Sequence, residues 1–185
     1  AEELGVPVIL QTSLGTARYI GFEPLIAAVK AIAETSSVSV ALHMDHCKDI
    51  DALKEAIDKG YSSVMYDGSS LSLEENIKNT KEVVAYAHER NVSVEGEVGS
   101  IGGAEEGVVV AKDDAMYTKP EDALYFAENA GVDALAVSIG TNHGQYKSKA
   151  KINYDLLTVL KAKLGDSGLV LHGGTGVSDE DMRRC

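Results

Sequence analysis

The chain has 185 residues, 44% hydrophobic and 25% charged, with 17 Lys+Arg against 29 Asp+Glu for a net charge of −12. This composition suits one domain with a real core and leaves no run of apolar residues long enough to span a membrane. So acidic a chain repels phosphate backbones and argues against a nucleic-acid partner, so any phosphate site must be built locally from backbone N–H groups and a few cations.

The N-terminal stretch AEELGVPVIL has no initiator Met, no basic segment and no cleavage signature; it reads as the end of a helix, with no signal peptide. Two cysteines, Cys47 and Cys185, make neither a disulfide framework nor a Cys-x-x-Cys site. A reducing cytoplasm is expected, with any transition metal held by histidine and carboxylate.

Six short apolar runs follow in chain order: 6–11, 38–44, 61–66, 92–98, 134–140 and 168–173. Most are rich in Val, Ile or Leu, as strands buried on both faces should be. Helical spacing fills the gaps. Leu25, Ala28, Val29 and Ile32 form one stripe, and Ile77, Val83, Val84 and Ala87 contribute to another. Asp49 and Asn153 are placed to cap helices 49–59 and 153–164, and Gly60, Gly131 and Gly165 close helices 49–59, 119–130 and 153–164. Strand–helix alternation predicts an α/β fold with a parallel sheet.

Both a doubly wound open sheet and a closed barrel fit that alternation. Polar residues end nearly every strand, and a barrel would bring them to one rim. The fold expected is therefore a (β/α)₈ TIM barrel, present as about six βα units in a single domain over 1–185, with the first and last strands missing. Residues 99–118 form a long Gly-rich, acidic gap, read as a lid with Gly102, Gly103 and Gly107 as hinges.

Of the five histidines, His88 lies mid-helix and is expected on the surface, while His46, His143 and His172 each follow a different strand. Three imidazoles from three strands compose a catalytic zinc site with one open position; the competing reading is three unrelated rim residues. In HMDH (43–46), alternation turns His43 and Asp45 inward and puts His46 at the strand exit. Asp45 is then free for acid/base or ligand-orienting work. Glu95 and Glu97 share a strand face, whereas Glu105 and Glu106 are either a lid carboxylate or a solvated acidic pair. IGTNHGQYK (139–147) and LHGGTGVSD (171–179) each join a histidine to glycines. With Thr175 and Lys147 they would cradle a phosphate, or else they are ordinary turns.

These segments, with PVILQTSLGTARYIG, SVMYDGSSLSLEENI and VEGEVGSIGGAEEG, resemble successive signatures of the class II fructose-bisphosphate and tagatose-bisphosphate aldolases over all of 1–185. The resemblance implies His46, His143 and His172 as zinc ligands, Asp45 as the acid/base at the C4 hydroxyl, and Glu105 as the loop carboxylate at C3. It implies Glu97 and Asp67 as residues behind the ligands or alternative ligands. Gly144, Lys147, Gly173, Gly174 and Thr175 match phosphate contacts, with Gly144 and Gly173 also suited to a monovalent cation (Na+ or K+), and Ser13 resembles a serine near the other phosphate. Thr175 stands where Ser is usual and keeps the hydroxyl.

The activity implied is reversible cleavage of a ketose 1,6-bisphosphate, foremost fructose 1,6-bisphosphate, to dihydroxyacetone phosphate and glyceraldehyde 3-phosphate, with zinc stabilising the enediolate. Tagatose 1,6-bisphosphate is the alternative substrate, and a non-catalytic sugar-phosphate-binding subunit the alternative role. The resemblance further implies a homodimer or homotetramer. No Lys lies within the predicted strands, which argues against a Schiff-base route.

Overall fold

The computed structural model describes residues 1–99, 102–105, 108–110, 117–144 and 150–185, with the backbone alone for 102–105 and 108–110. A short 3₁₀ turn, Glu2–Leu4, leads into β1 (Val8–Ser13), α1 (Leu14–Ile20), α2 (Phe22–Thr35), β2 (Val40–Cys47), α3 (Ile50–Lys59), β3 (Ser63–Tyr66), α4 (Leu73–His88) and β4 (Ser93–Val98). Next come β5 (Gly102–Glu105), β6 (Val108–Val110), α5 (Pro120–Ala130), β7 (Ala134–Val137), β8 (Asn142–His143), α6 (Tyr154–Leu164), β9 (Gly168–Val170) and α7 (Asp179–Arg184).

The main sheet has the order β1-β2-β3-β4-β7-β9, with every pair parallel. Each strand is laid beside its predecessor without reversal. A doubly wound sheet would reverse at a switch point; this one never does, and it curls into a half-barrel with helices between the strands. The barrel expectation therefore holds over the six strands seen.

Local signals explain the frame. Asp49 accepts from Ala52 N at 3.1 Å and Asn153 from Leu156 N at 3.0 Å, so both predicted caps form. Ser13 ends β1 and caps α1 by accepting from Thr16 N at 3.2 Å. Helix α1 itself was not expected, because seven residues give too short a window for a helical period to stand out. In α2 the predicted stripe is rotated by about one position. Phe22 and Ile26 are buried with Leu25 and Val29 packed beside them, whereas Ala28 is exposed and Ile32 is 55% exposed. The larger Phe22 side chain takes the inward row at i, i+3, i+4 and i+7.

The gap 99–118 is not wholly a loop. β5 pairs antiparallel with β6 and parallel with β8, as Gly103↔Val110 and Gly103↔His143. The Val108–Val110 run was the strand signal in that segment. Of the three proposed hinges, Gly102 and Gly103 lie within β5, and Gly107 lies outside the described residues.

Two apolar clusters seat the helices on the sheet. One joins α2, α3 and α4 to β2, β3 and β4; the other joins α5 and α6 to β4 and β7. At Gly96 a Cβ would stand 2.7 Å from the Phe126 ring, so α5 packs on β4 only where no side chain intervenes. Leu53 is fully buried in the first cluster. Leu53→Ala should lower unfolding stability by about 2–5 kcal/mol, read by chemical denaturation; a loss below about 1 kcal/mol would contradict the packing.

Candidate functional site

The C-terminal ends of β2 and β9 and the stretch after β7 bring three imidazoles together. Ring centroids of His46 and His172 are 4.4 Å apart, those of His46 and His143 5.0 Å, and those of His143 and His172 5.7 Å. One nitrogen of each ring lies within 4.8 Å of the others, and His46 Nε2 is 3.0 Å from His172 Nδ1. Tetrahedral zinc with Zn–N bonds of about 2.0–2.1 Å needs donors roughly 3.3 Å apart, so this donor set suits a small divalent cation.

The opposite ring nitrogens face carboxylates. His46 Nδ1 is 3.3 Å from Asp67 Oδ2 and 3.6 Å from Glu97 Oε2, and His172 Nε2 is 2.8 Å from Glu95 Oε1. His46, Asp67 and Glu97 form a second group able to hold a metal.

Electrostatics follow from that crowding. Burial pushes His143 down to about 4, helped by the nearby His46 and His172, so its ring is neutral at pH 7. Burial also pulls His172 down, but the hydrogen bond and charge of Glu95 outweigh it and leave it raised. Burial raises Glu97 to about 7, with the Asp67 charge adding to it. Asp67 is pulled the other way. Its burial is more than offset by hydrogen bonds from His46 and Ser69, so it stays well below the usual carboxylate range. A divalent cation among these groups would stabilise all the carboxylates as anions.

A backbone irregularity brings Asp45 and His46 to one site. Between Met44↔Val64 and Cys47↔Tyr66, β2 advances three residues while β3 advances two. The extra residue is a bulge, and His46 takes φ 43° within it. Strict alternation would send neighbours to opposite faces. Instead Asp45 lines the inner cleft while His46 meets the other two rings. Gln11 Nε2 donates to Asp45 Oδ1 at 3.4 Å.

The cleft has a volume of about 670 Å³, and Asp45, His143, Gly144, Gly173, Gly174 and Thr175 are among its lining residues. At Gly173 (φ 69°) a Cβ would lie 2.6 Å from Asn142 O, so the two His-Gly segments approach backbone to backbone. The described lining contains no Lys or Arg, which leaves backbone N–H groups and uncharged side chains such as Thr175 as the anion donors there.

The family model described as "Fructose-bisphosphate aldolase class-II" matches residues 1–185. This chain belongs to the class II fructose-bisphosphate aldolase family. It is 41% identical over 188 residues to the fructose-bisphosphate aldolase of Staphylococcus aureus, covering 100% of this chain and 65% of the relative. It is 40% identical over 185 residues to the sulfofructosephosphate aldolase of Alkalicoccus urumqiensis, covering 100% of this chain and 64% of the relative. Among solved structures, the YdjI aldolase from Escherichia coli K12 superposes with a TM-score of 0.84 at 33% identity, covering 100% of this chain and 64% of that one. The chain thus spans 64–65% of the length of these two curated relatives.

The remaining residues implied by the aldolase resemblance are distributed as follows. Ser13 sits at the rim end of β1, engaged with Thr16. Glu105 falls on β5, one strand over from the His143 segment. Lys147 and Glu106 lie outside the described residues. His88 is exposed, as expected, and sits 3.0 Å from Asp133. Two buried polar groups facing the site had no assigned part: Glu95, and His43, whose Nδ1 is 2.7 Å from Ser63 Oγ. Their signal was the two-residue period placing 43 with 45 and 95 with 97 on inward faces. Among the described residues no helix is long and apolar enough to cross a membrane.

Proposed function

We propose that residues 1–185 form the catalytic barrel domain of a zinc-dependent aldolase that reversibly cleaves fructose 1,6-bisphosphate to dihydroxyacetone phosphate and glyceraldehyde 3-phosphate. One observation carries this reading: three imidazoles from separate strands converge at the head of a cleft lined by a carboxylate from the neighbouring residue, Asp45. His46, His143 and His172 would hold the ion, with Asp67 and Glu97 behind them or serving as alternative ligands.

When bound there, zinc supplies Lewis-acid stabilisation of the negative charge that cleavage leaves on the substrate. Asp45 takes the C4 hydroxyl proton as C3–C4 breaks, and returns it in the condensation direction. Glu105 delivers the proton to C3. Backbone N–H groups at Gly144, Gly173 and Gly174, with Thr175 and Lys147, bind one phosphate, and Ser13 lies toward the other. The close backbone approach at Gly173 also suits a Na+ or K+ ion. The protein works in the cytoplasm as a homodimer or homotetramer, which light scattering of the full chain would test.

A coupled assay decides the substrate. Fructose 1,6-bisphosphate should turn over faster than tagatose 1,6-bisphosphate or a sulfofructose phosphate, and a chelator should abolish turnover. Equal turnover in chelator would end the metal reading. Glu105→Ala should slow exchange of the dihydroxyacetone phosphate C3 proton by about 10²-fold or more; exchange at the wild-type rate would remove Glu105 from that role.

A further inference from the structure

Beneath the three imidazoles lies a buried polar chain drawn from three strands and the segment after β9. Ser63 Oγ (β3) meets His43 Nδ1 (β2) at 2.7 Å, His43 Nε2 faces Glu95 Oε2 (β4) at 3.7 Å, and Glu95 Oε1 meets His172 Nε2 at 2.8 Å. His43, Glu95 and His172 are 3%, 6% and 7% exposed, buried where they border the cleft. Glu95 is linked to His172 on one oxygen and faces a fixed imidazole with the other. It bonds no exposed cation or surface partner among the described residues.

A neutral imidazole has one N–H and one lone pair, and a carboxylate only accepts. A hydrogen bond at 2.8 Å therefore requires the proton on Nε2 of His172, which leaves its Nδ1 lone pair directed at His46 Nε2, 3.0 Å away. His46 is arranged in the reverse sense. Its Nδ1 turns to Asp67, so Nε2 faces inward. We propose that Glu95 is a positioning residue: by fixing the tautomer and plane of His172 it makes Nδ1, and not Nε2, the metal-donating atom, with His43 held by Ser63 as the wall behind it. This inference rests on the three-histidine metal site proposed above.

The test uses the full chain labelled with ¹⁵N-histidine, together with zinc competition against a chromophoric chelator. In wild-type protein, long-range ¹H–¹⁵N correlations should show His172 as the Nε2–H tautomer, and zinc should move the Nδ1 signal alone. Glu95→Leu should weaken zinc binding by about 10–100-fold and alter the visible spectrum of the Co²⁺-substituted protein. Glu95→Gln, whose amide oxygen still accepts from Nε2–H, should stay near wild type in both. A proton on Nδ1 of His172, or a Glu95→Leu variant binding zinc as wild type does, overturns the positioning role while the metal site stands. A wild-type chain that takes up no zinc overturns both. The tautomer measurement needs no substitution, so it decides the matter even if Glu95→Leu does not fold.

Discussion

His172→Ala should yield a protein that carries no zinc and turns over fructose 1,6-bisphosphate more than about 10³-fold more slowly, and His46→Ala or His143→Ala should do the same. The three donors come from different elements, and no neighbouring imidazole can replace one. His43 is engaged with Ser63 and His88 is on the surface. Removing one ring leaves two imidazoles among four acidic side chains, Asp45, Asp67, Glu95 and Glu97, a poorer site for a small, geometrically demanding ion. Metal content by mass spectrometry and kcat, measured on one preparation, give the result. Acid should mimic the substitutions reversibly, because an imidazole must lose its proton to bind a metal. Normal turnover by a metal-free His172→Ala protein would end the proposal.

Asp45→Ala is expected to separate binding from chemistry. The side chain lines the cleft but belongs to neither group of metal-capable residues, so zinc content should be unchanged. The rate should fall by about 10²–10⁴, the usual contribution of a positioned acid/base. Asp45→Asn keeps the shape and the Gln11 contact but cannot take a proton, and should be as slow. Zinc lost along with activity in both variants would instead make Asp45 a support for His46.

What could be read from sequence was whatever depends on near neighbours. Asp49 and Asn153 cap their helices because a cap needs only the three residues that follow. The three histidines could be placed at strand ends because strand direction alone puts them there. The β5–β6 arm was missed, since Gly102 and Gly103 argue against a strand and its pairing partner, β8, is about 40 residues away. The Glu95–His172 contact spans 77 residues and depends on two strands separated by β7, which no local pattern encodes. The rotated face of α2 was a competition between stripes that only packing against β2 and α3 resolves.

The extra residue in β2 has a mechanical consequence. Asp45 and His46 are joined by a single peptide unit, so their separation is set by covalent geometry and changes little when strands slide or breathe. His143 and His172 are held relative to His46 only by folding. On partial loosening of the sheet, the ring cluster would come apart first while the carboxylate and its adjacent imidazole stayed in step. Heat or mild denaturant should therefore release the metal well before it unravels the strand that carries both groups.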